Sequence, residues 1–236
     1  MVYGQAIERI MSLTLISYTH GDDLKPCLAA MRRSWDPHIM SEAVLICVDG
    51  GVKPVTEHEK MPLRFESVPP PTGRSGYNRF ILGRIHNYIK TSHFLLVHPD
   101  GFVVNWHKWT PKFLDYDYIG APWFSGGAGG EKWRVGNGGF TLRSVALMKK
   151  VSEVWAPLCQ RWIEQPIEER GEDAFICHNI RDTLEASGFK FAPVALAAQF
   201  SIESRLPDLP CGPSDSFGFH GRCTDWTARH CELNRP

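Results

Sequence analysis

Short β-rich segments alternate with amphipathic ones through the first hundred residues, and no other feature of the sequence constrains the fold as strongly. Ala43–Val48 is apolar at every position, as in a parallel strand that is buried on both faces. One helix is predicted from a cap at Asp22 or Asp23 to about Trp35, and another over Tyr77–Lys90 from its apolar period. The predicted strands are Leu13–Tyr18, Ala43–Val48, Leu63–Val68 and Phe94–Val97. This alternation predicts an α/β fold with a mostly parallel central sheet flanked by helices.

The second half of the chain has a less regular pattern. A strand is predicted over Phe140–Leu142, followed by a helix over Val145–Trp162 that is interrupted near Pro157. A further helix is predicted to begin at Gly171 and to end before Gly188, because glycine commonly follows the last turn of a helix.

Length and charge narrow the classes of protein to which the chain can belong. Its 236 residues fit a single domain, predicted over residues 1–236 with the core at about 12–221 and a C-terminal tail at 222–236. Lysine plus arginine and aspartate plus glutamate are equal at 26 each, and no basic run exceeds two residues. Nucleic acid is therefore not indicated as a partner.

The sequence also predicts a compartment. It has no apolar leader and no apolar run of about 18 residues, so no transmembrane segment is expected and the predicted location is cytoplasmic. Cys47 and Cys177 lie in apolar runs and are predicted to be buried thiols. Cys211, Cys223 and Cys231 lie in a loop-rich tail, where one disulfide is an open alternative to free thiols.

Ligands of parallel α/β sheets bind at the carboxyl ends of the strands, so the residues at these ends are the first candidates for chemistry. Asp100 follows the fourth predicted strand, within His98–Pro99–Asp100–Gly101. Its carboxylate can hold a hard divalent cation and, through it, a diphosphate. The alternative is that Asp100 only forms a turn, since Pro-Asp-Gly is a strong turn signal. His98 is a second candidate ligand, with a packed imidazole as its alternative.

Each of three later features in the sequence has two interpretations, one functional and one structural. The glycines of Gly136–Phe140 allow backbone amides to approach a sugar or phosphate closely, or they form a tight turn. Glu172 and Asp173 stand at a predicted helix start, where one can act as a general base or both can be caps. His220 can be a metal ligand or a structural imidazole.

The order of these features resembles the GT-A glycosyltransferases, and specifically the DUF5672 family. The matching segments extend over roughly residues 12 to 221, and the two longest, Tyr116–Trp123 and Val135–Ser144, are the most specific. The others are Tyr77–Phe80, His98–Phe102, Gly171–Asp173 and Phe217–Gly221.

The resemblance implies a single GT-A domain and a hexosyltransferase-like enzyme that uses a nucleotide-diphosphate sugar, with a UDP-sugar favoured and the acceptor not identified. The Asp-x-Asp motif that usually holds the metal is replaced by His98–Asp100, with one carboxylate. The implied ligands of Mn²⁺ or Mg²⁺ are Asp100 and His220, with His98 in place of the first acid. Asp173, with Glu172 as the alternate, is the implied general base of an inverting transfer. The implied donor-binding residues are Tyr18, Thr19, Asn78, Arg84, Asp100, Gly136, Asn137, Gly138 and Gly139, and Trp123 and Trp133 are the candidates for stacking on a sugar.

Two other classes of protein compete with this interpretation. A nucleotidyltransferase typically carries a glycine-rich, basic loop after the first strand, whereas Thr19–Asp23 is acidic. A non-catalytic carbohydrate-binding module has no need of Asp100, Asp173 and His220 in one cleft, and it is expected to ignore UDP and GDP.

Overall fold

The computed structural model describes residues 13–19, 24–48, 61–69, 73–124, 130–163, 171–204, 206–209 and 215–221, without the side chains of residues 73–75 and 160–163. The predicted caps Asp22 and Asp23, the cysteines Cys211, Cys223 and Cys231, and the tail at 222–236 lie outside the described residues.

A six-stranded mixed sheet forms the centre of the fold, with the strand order β3-β2-β1-β4-β6-β5. The first four strands run parallel to one another, and β6 runs antiparallel to both β4 and β5. The strands are β1 Leu13–Thr19, β2 Met40–Val48, β3 Leu63–Val68, β4 His93–Val97, β5 Tyr118–Ile119 and β6 Phe140–Ser144. The predicted α/β fold with a mostly parallel sheet is confirmed.

Helices cover both faces of the sheet. They are α1 Leu24–Arg33, α2 Gly73–Gly83, α3 Val145–Ile163, α4 Glu172–Ala174, α5 Arg181–Ala186 and α6 Val194–Phe200. A 3₁₀ turn follows α2 at Ile85–Tyr88, and a π-helical turn at Phe175–Asn179 connects α4 to α5. Alternate residues of β1 point to opposite faces, so Ile16 packs with α2 and α3 while Leu15 packs with α1 and α6.

Three details of the helix prediction were wrong. The helix predicted over Tyr77–Lys90 begins at Gly73 and ends at Gly83, and the chain continues in the 3₁₀ turn at Ile85–Tyr88. Helix α3 continues through Pro157 without a break, and residues on both sides of the proline, including Trp155 and Cys159, pack against the core. The helix predicted between Gly171 and Gly188 is divided by the π-helical turn, although Gly188 does follow its last turn with a φ of 92°. Burial of the thiols of Cys47 and Cys177 is confirmed.

A second, two-stranded sheet lies near the end of β4 and positions part of the functional site. It pairs β7, Ser201–Ile202, with β8, Gly218–Phe219. A bridge between Val103 and Gly218 connects it to the chain that follows β4. Among the helices of the described residues, none combines the length and apolar character that crossing a bilayer requires.

Candidate functional site

A cleft of about 600 Å³ opens at the carboxyl ends of β1 and β4. It lies where the sequence places the candidate residues, and its volume is in the range of sites for small organic ligands. The described residues that line it are Tyr18, Tyr77, Asn78, His98, Pro99, Asp100, Asn137, Gly138, Gly139, Gly171, Glu172, Asp173, Glu203 and His220.

One side of the cleft carries a cluster of three potential metal ligands. One ligand atom from each of His98, Asp100 and His220 lies within 4.8 Å of the other two. The backbone reverses between His98 and Gly101, whose amides and carbonyls exchange hydrogen bonds of 3.0 Å. The amide of Gly221 donates to the carbonyl of Asp100 at 2.8 Å, which holds His220 beside that turn. Asp100 is thus a turn residue and part of the cluster at once.

The His220 ring is held on both edges. Its Nε2 lies 3.5 Å from a carboxylate oxygen of Asp100, while Nδ1 lies 3.7 Å from Glu203 and 2.9 Å from the Asn137 side-chain nitrogen. A Cβ at Gly139 would collide with the ring, so this position requires glycine. Burial alone would lower the pKa of His220, but Asp100 and Glu203 raise it to about 9. The His220 ring is therefore a positively charged imidazolium at neutral pH when no metal ion is bound.

His98 has the opposite electrostatic character. Burial and, as a smaller contribution, the nearby charge of His220 lower its pKa to about 4. The Tyr77 hydroxyl forms a 2.8 Å hydrogen bond with Nε2 of His98, which fixes the orientation of the ring. His98 is therefore a neutral imidazole at physiological pH. The hydrogen bond with His220 lowers the pKa of Asp100, so this carboxyl is ionised there.

The two neighbouring acids on the other side of the cleft have different environments. Glu172 is buried and forms a 2.6 Å ion pair with Arg143, whose side chain is fully buried. The second oxygen of Glu172 accepts the amide of Asp173 at 2.8 Å. Glu172 is thus engaged by a cation and an amide and lies in a fixed position. The Arg143 guanidinium also lies 5.0 Å from the centre of the Tyr118 ring.

Asp173 is less buried than Glu172, and one of its oxygens accepts the amide of Ala174 at 2.8 Å. Burial raises the pKa of Asp173 to about 7, and the negative charge of Glu172 contributes in the same direction. A carboxyl with this pKa can accept or release a proton near neutral pH, which is the property that a general base requires.

The glycine-rich segment connects the two sides of the cleft. Asn137 has a positive φ of 65°, and its carbonyl accepts the Tyr118 hydroxyl at 2.9 Å. A Cβ at Gly138 would collide with the Glu172 carboxylate. This segment therefore approaches both the acidic pair and the His220 ring so closely that side chains at Gly138 and Gly139 are excluded.

Five predicted residues are not among those that line the cleft. Thr19 is buried on the face of β1 opposite to Tyr18, as expected for adjacent strand residues. Arg84 is exposed beyond the end of α2, about 9 Å along the helix from Asn78. The other three form a separate contact: Trp123 covers Gly136, and Trp123 and Trp133 pack on His178 at ring distances of 4.8 and 5.5 Å.

Several residues of the site were not predicted from the sequence. Tyr77 was predicted only as the first residue of a helix, although it immediately precedes Asn78 in a matching segment. Arg143 lies inside another matching segment, where a charged residue in an apolar strand was the available signal. Glu203 stands in no motif, and no local signal indicates it.

Comparisons with known proteins identify the family and the fold of the chain. A family model described as a protein of unknown function, DUF5672, matches residues 63–220. The galactosyltransferase LgtC, solved with donor and acceptor sugar analogues, is 15% identical and superposes with a TM-score of 0.54, over 94% of this chain and 95% of that one. This superposition shows the predicted GT-A glycosyltransferase fold.

Two further solved structures are similar over shorter stretches. TarS 1-349 from S. aureus, solved with UDP-GlcNAc, is 14% identical with a TM-score of 0.41, over 59% of this chain and 47% of that one. Core-mannan synthase A from Aspergillus fumigatus, in its Mn/GDP form, is 10% identical with a TM-score of 0.46, over 67% of this chain and 66% of that one. The chain thus spans about half of the TarS fragment. No curated protein matches the chain in sequence.

Proposed function

We propose that this chain, which belongs to the DUF5672 family and has the GT-A fold, transfers a sugar from a nucleotide-diphosphate sugar to an acceptor hydroxyl. One observation carries the proposal: a single cleft combines a cluster of metal ligands with a carboxyl whose pKa is about 7. Both suit sugar transfer, since charge builds up on the leaving diphosphate while the acceptor hydroxyl loses a proton. We propose a UDP-sugar as the donor.

The residues of the cleft fit a divalent ion. The side-chain oxygen of Asn137 is buried without a hydrogen-bond partner among the residues that the structure describes, while the amide nitrogen faces Nδ1 of His220. A half-turn of this amide lets its oxygen accept the Nδ1 hydrogen, and Nε2, once it has lost its proton to solvent, would present its lone pair toward Asp100. Asp100 and His220, with His98, would hold Mn²⁺ or Mg²⁺. Such an ion supplies positive charge that stabilises the diphosphate leaving group.

The remaining residues of the cleft bind and orient the donor in this proposal. Tyr18, at the end of β1, is positioned for the nucleotide, and Asn78 on α2 lines the same cavity. Asn137, Gly138 and Gly139 bring backbone close to the cleft, which suits the binding of a sugar between the metal ligands and Asp173.

Asp173 is the proposed general base. It takes the proton of the acceptor hydroxyl as that oxygen attacks the anomeric carbon, and an attack in line with the leaving diphosphate inverts this centre. Glu172 is the weaker candidate, because both of its oxygens already accept hydrogen bonds, from Arg143 and from the Asp173 amide. Its role in the proposal is to hold Asp173 in place and to raise its pKa.

The proposal is tested by screening nucleotide sugars for thermal stabilisation with and without Mn²⁺, followed by assays of donor hydrolysis and transfer. Asp173→Asn should abolish transfer and keep donor binding, whereas normal turnover of this variant would exclude Asp173 as the base. Full activity in EDTA would exclude the role of a metal ion. Failure of UDP and GDP to bind in isothermal titration would instead favour a carbohydrate-binding module.

The pH dependence of transfer provides a separate test of Asp173. A general base acts only in its deprotonated form, so the rate should rise with pH through the pKa of Asp173, about 7, and level off above it. A rate that is already maximal at about pH 5 would contradict the assignment, because Asp173 would then be mostly protonated.

A further inference from the structure

The cluster of His98, Asp100 and His220 differs in donor chemistry from an Asp-x-Asp site. Two of its three side chains offer imidazole nitrogen, and only Asp100 offers a carboxylate oxygen. Mg²⁺ strongly prefers oxygen ligands in an octahedral arrangement, whereas imidazole suits iron, nickel, copper and zinc. A histidine at position 98 in place of the first acid therefore adds a nitrogen donor to the site and removes a negative charge from it.

Both rings are held by neighbouring side chains in a way that is typical of metal-binding histidines. Such a histidine usually uses one ring nitrogen for the metal and the other for a hydrogen bond with a fixed partner. His220 has the Asn137 amide and Glu203 on its Nδ1 edge, while Nε2 faces Asp100. The His98 ring is fixed by the Tyr77 hydroxyl at 2.8 Å. The two rings lie nearly perpendicular, with their centres 5.7 Å apart.

We infer that His98, the imidazole in place of the first acid, determines the ion selectivity of this cluster, and that it favours first-row transition-metal ions over Mg²⁺ more strongly than a carboxylate at this position would. The inference rests on the proposed metal-assisted sugar transfer and narrows its cofactor from Mn²⁺ or Mg²⁺ to an ion that accepts imidazole. Affinity should increase from Mn²⁺ to Co²⁺, as it does for nitrogen and oxygen sites in general, and Mg²⁺ should bind most weakly.

The test is an equilibrium titration of the EDTA-treated, dialysed protein with MnCl₂, CoCl₂ and MgCl₂ by isothermal calorimetry, without any nucleotide. The variant His98→Asp rebuilds the Asp-x-Asp pattern. The matched control is His107→Asp, which makes the same change at an exposed position in a 3₁₀ turn. Wild type and His107→Asp should bind Co²⁺ at least about tenfold more tightly than Mg²⁺. His98→Asp should reduce this ratio by about tenfold, through weaker binding of Co²⁺ and tighter binding of Mg²⁺.

Three results would overturn the inference: equal affinity of the wild type for Mg²⁺ and Co²⁺, an unchanged ratio in folded His98→Asp, or no binding of any of the ions. If His98→Asp does not fold, pulsed electron paramagnetic resonance of the Mn²⁺-loaded wild type replaces it. Couplings to nitrogens of two imidazoles support the inference, and couplings to one or none contradict it.

Failure of the inference and failure of the proposed function are distinguishable. Absence of donor hydrolysis and of transfer with every ion would refute the proposed function, while the measured ion preference would stand. If transfer reaches the same maximal rate with Mg²⁺ and with Co²⁺, and is half-saturated at the same concentration of either ion, the proposed function is supported and the inferred selectivity is refuted.

Discussion

Replacing Asp173 with asparagine should stabilise the fold at alkaline pH even though it abolishes transfer. The wild-type carboxyl is held in a partly buried position beside the negative charge of Glu172, which raises its pKa from the ordinary value of 3.8 to about 7. Ionising it above pH 7 therefore costs free energy in the folded state that is absent in the unfolded chain. Asparagine keeps the oxygen that accepts the Ala174 amide and has no charge to bury.

The magnitude follows from the rise in the pKa. One pKa unit corresponds to about 1.4 kcal/mol, so a rise from 3.8 to about 7 corresponds to about 4 kcal/mol if the carboxyl is fully shielded from water. Asp173 retains some exposure to solvent, and its titration is linked to that of Glu172, so we expect about half of this value, about 2 kcal/mol.

The sign of the pH dependence provides the decisive comparison. A raised carboxyl pKa means that the folded state binds more protons than the unfolded state between about pH 4 and pH 7, so wild-type stability falls as the pH rises through this range. The difference in the free energy of unfolding between Asp173→Asn and wild type should grow from near zero at about pH 4 to about 2 kcal/mol at about pH 8.

Urea unfolding followed by circular dichroism at three pH values measures this difference. The control is Asp115→Asn, which removes an exposed carboxylate at the end of a 3₁₀ turn and should change stability by less than about 0.5 kcal/mol. If Asp173→Asn is less stable than wild type at about pH 8, or if the difference does not change with pH, the environment described for Asp173 is incorrect.

Two further predictions concern residues that fix the geometry of the cleft. Glu172→Gln should destabilise the protein by about 3 to 5 kcal/mol, because the buried guanidinium of Arg143 loses its charge partner; a loss below about 1 kcal/mol in urea unfolding would contradict this. Gly139→Ala should abolish Mn²⁺ binding in calorimetry, because the added methyl collides with His220. Its control, Gly83→Ala, adds a methyl that makes an ordinary contact of 3.6 Å with an indole ring, and equal Mn²⁺ binding by both variants would refute the prediction.

The parallel part of the sheet could be predicted because its signal is local. A strand buried on both faces must be apolar at successive positions, and Ala43–Val48 meets this condition without reference to the rest of the chain. The strands at Leu63–Val68 and Phe94–Val97 were likewise predicted to within one residue of their observed bounds. The π-helical turn after Ala174 was not predictable from helical periodicity, since such turns change the period.

The neighbouring acids show most clearly what the sequence leaves undecided. Glu172 and Asp173 are equivalent as a pair of acids at a helix start, and either suits a cap or a base. The distinction arises because β6 places Arg143 beside Glu172 and fixes that carboxylate as a structural anion, while Asp173, which lines the same cleft, has a pKa raised to about 7.

The sequence by itself determined the α/β class, the family and the candidate residues Asp100, Asp173 and His220, because apolar periodicity and motif order are properties of contiguous residues. Only the tertiary structure decided which side chains share the cleft. Glu203 joins His220, and Arg84 and Trp123 lie elsewhere. The physical reason is that strand register and the β7–β8 pairing bring together residues more than a hundred positions apart, and short-range pattern carries no information about such contacts.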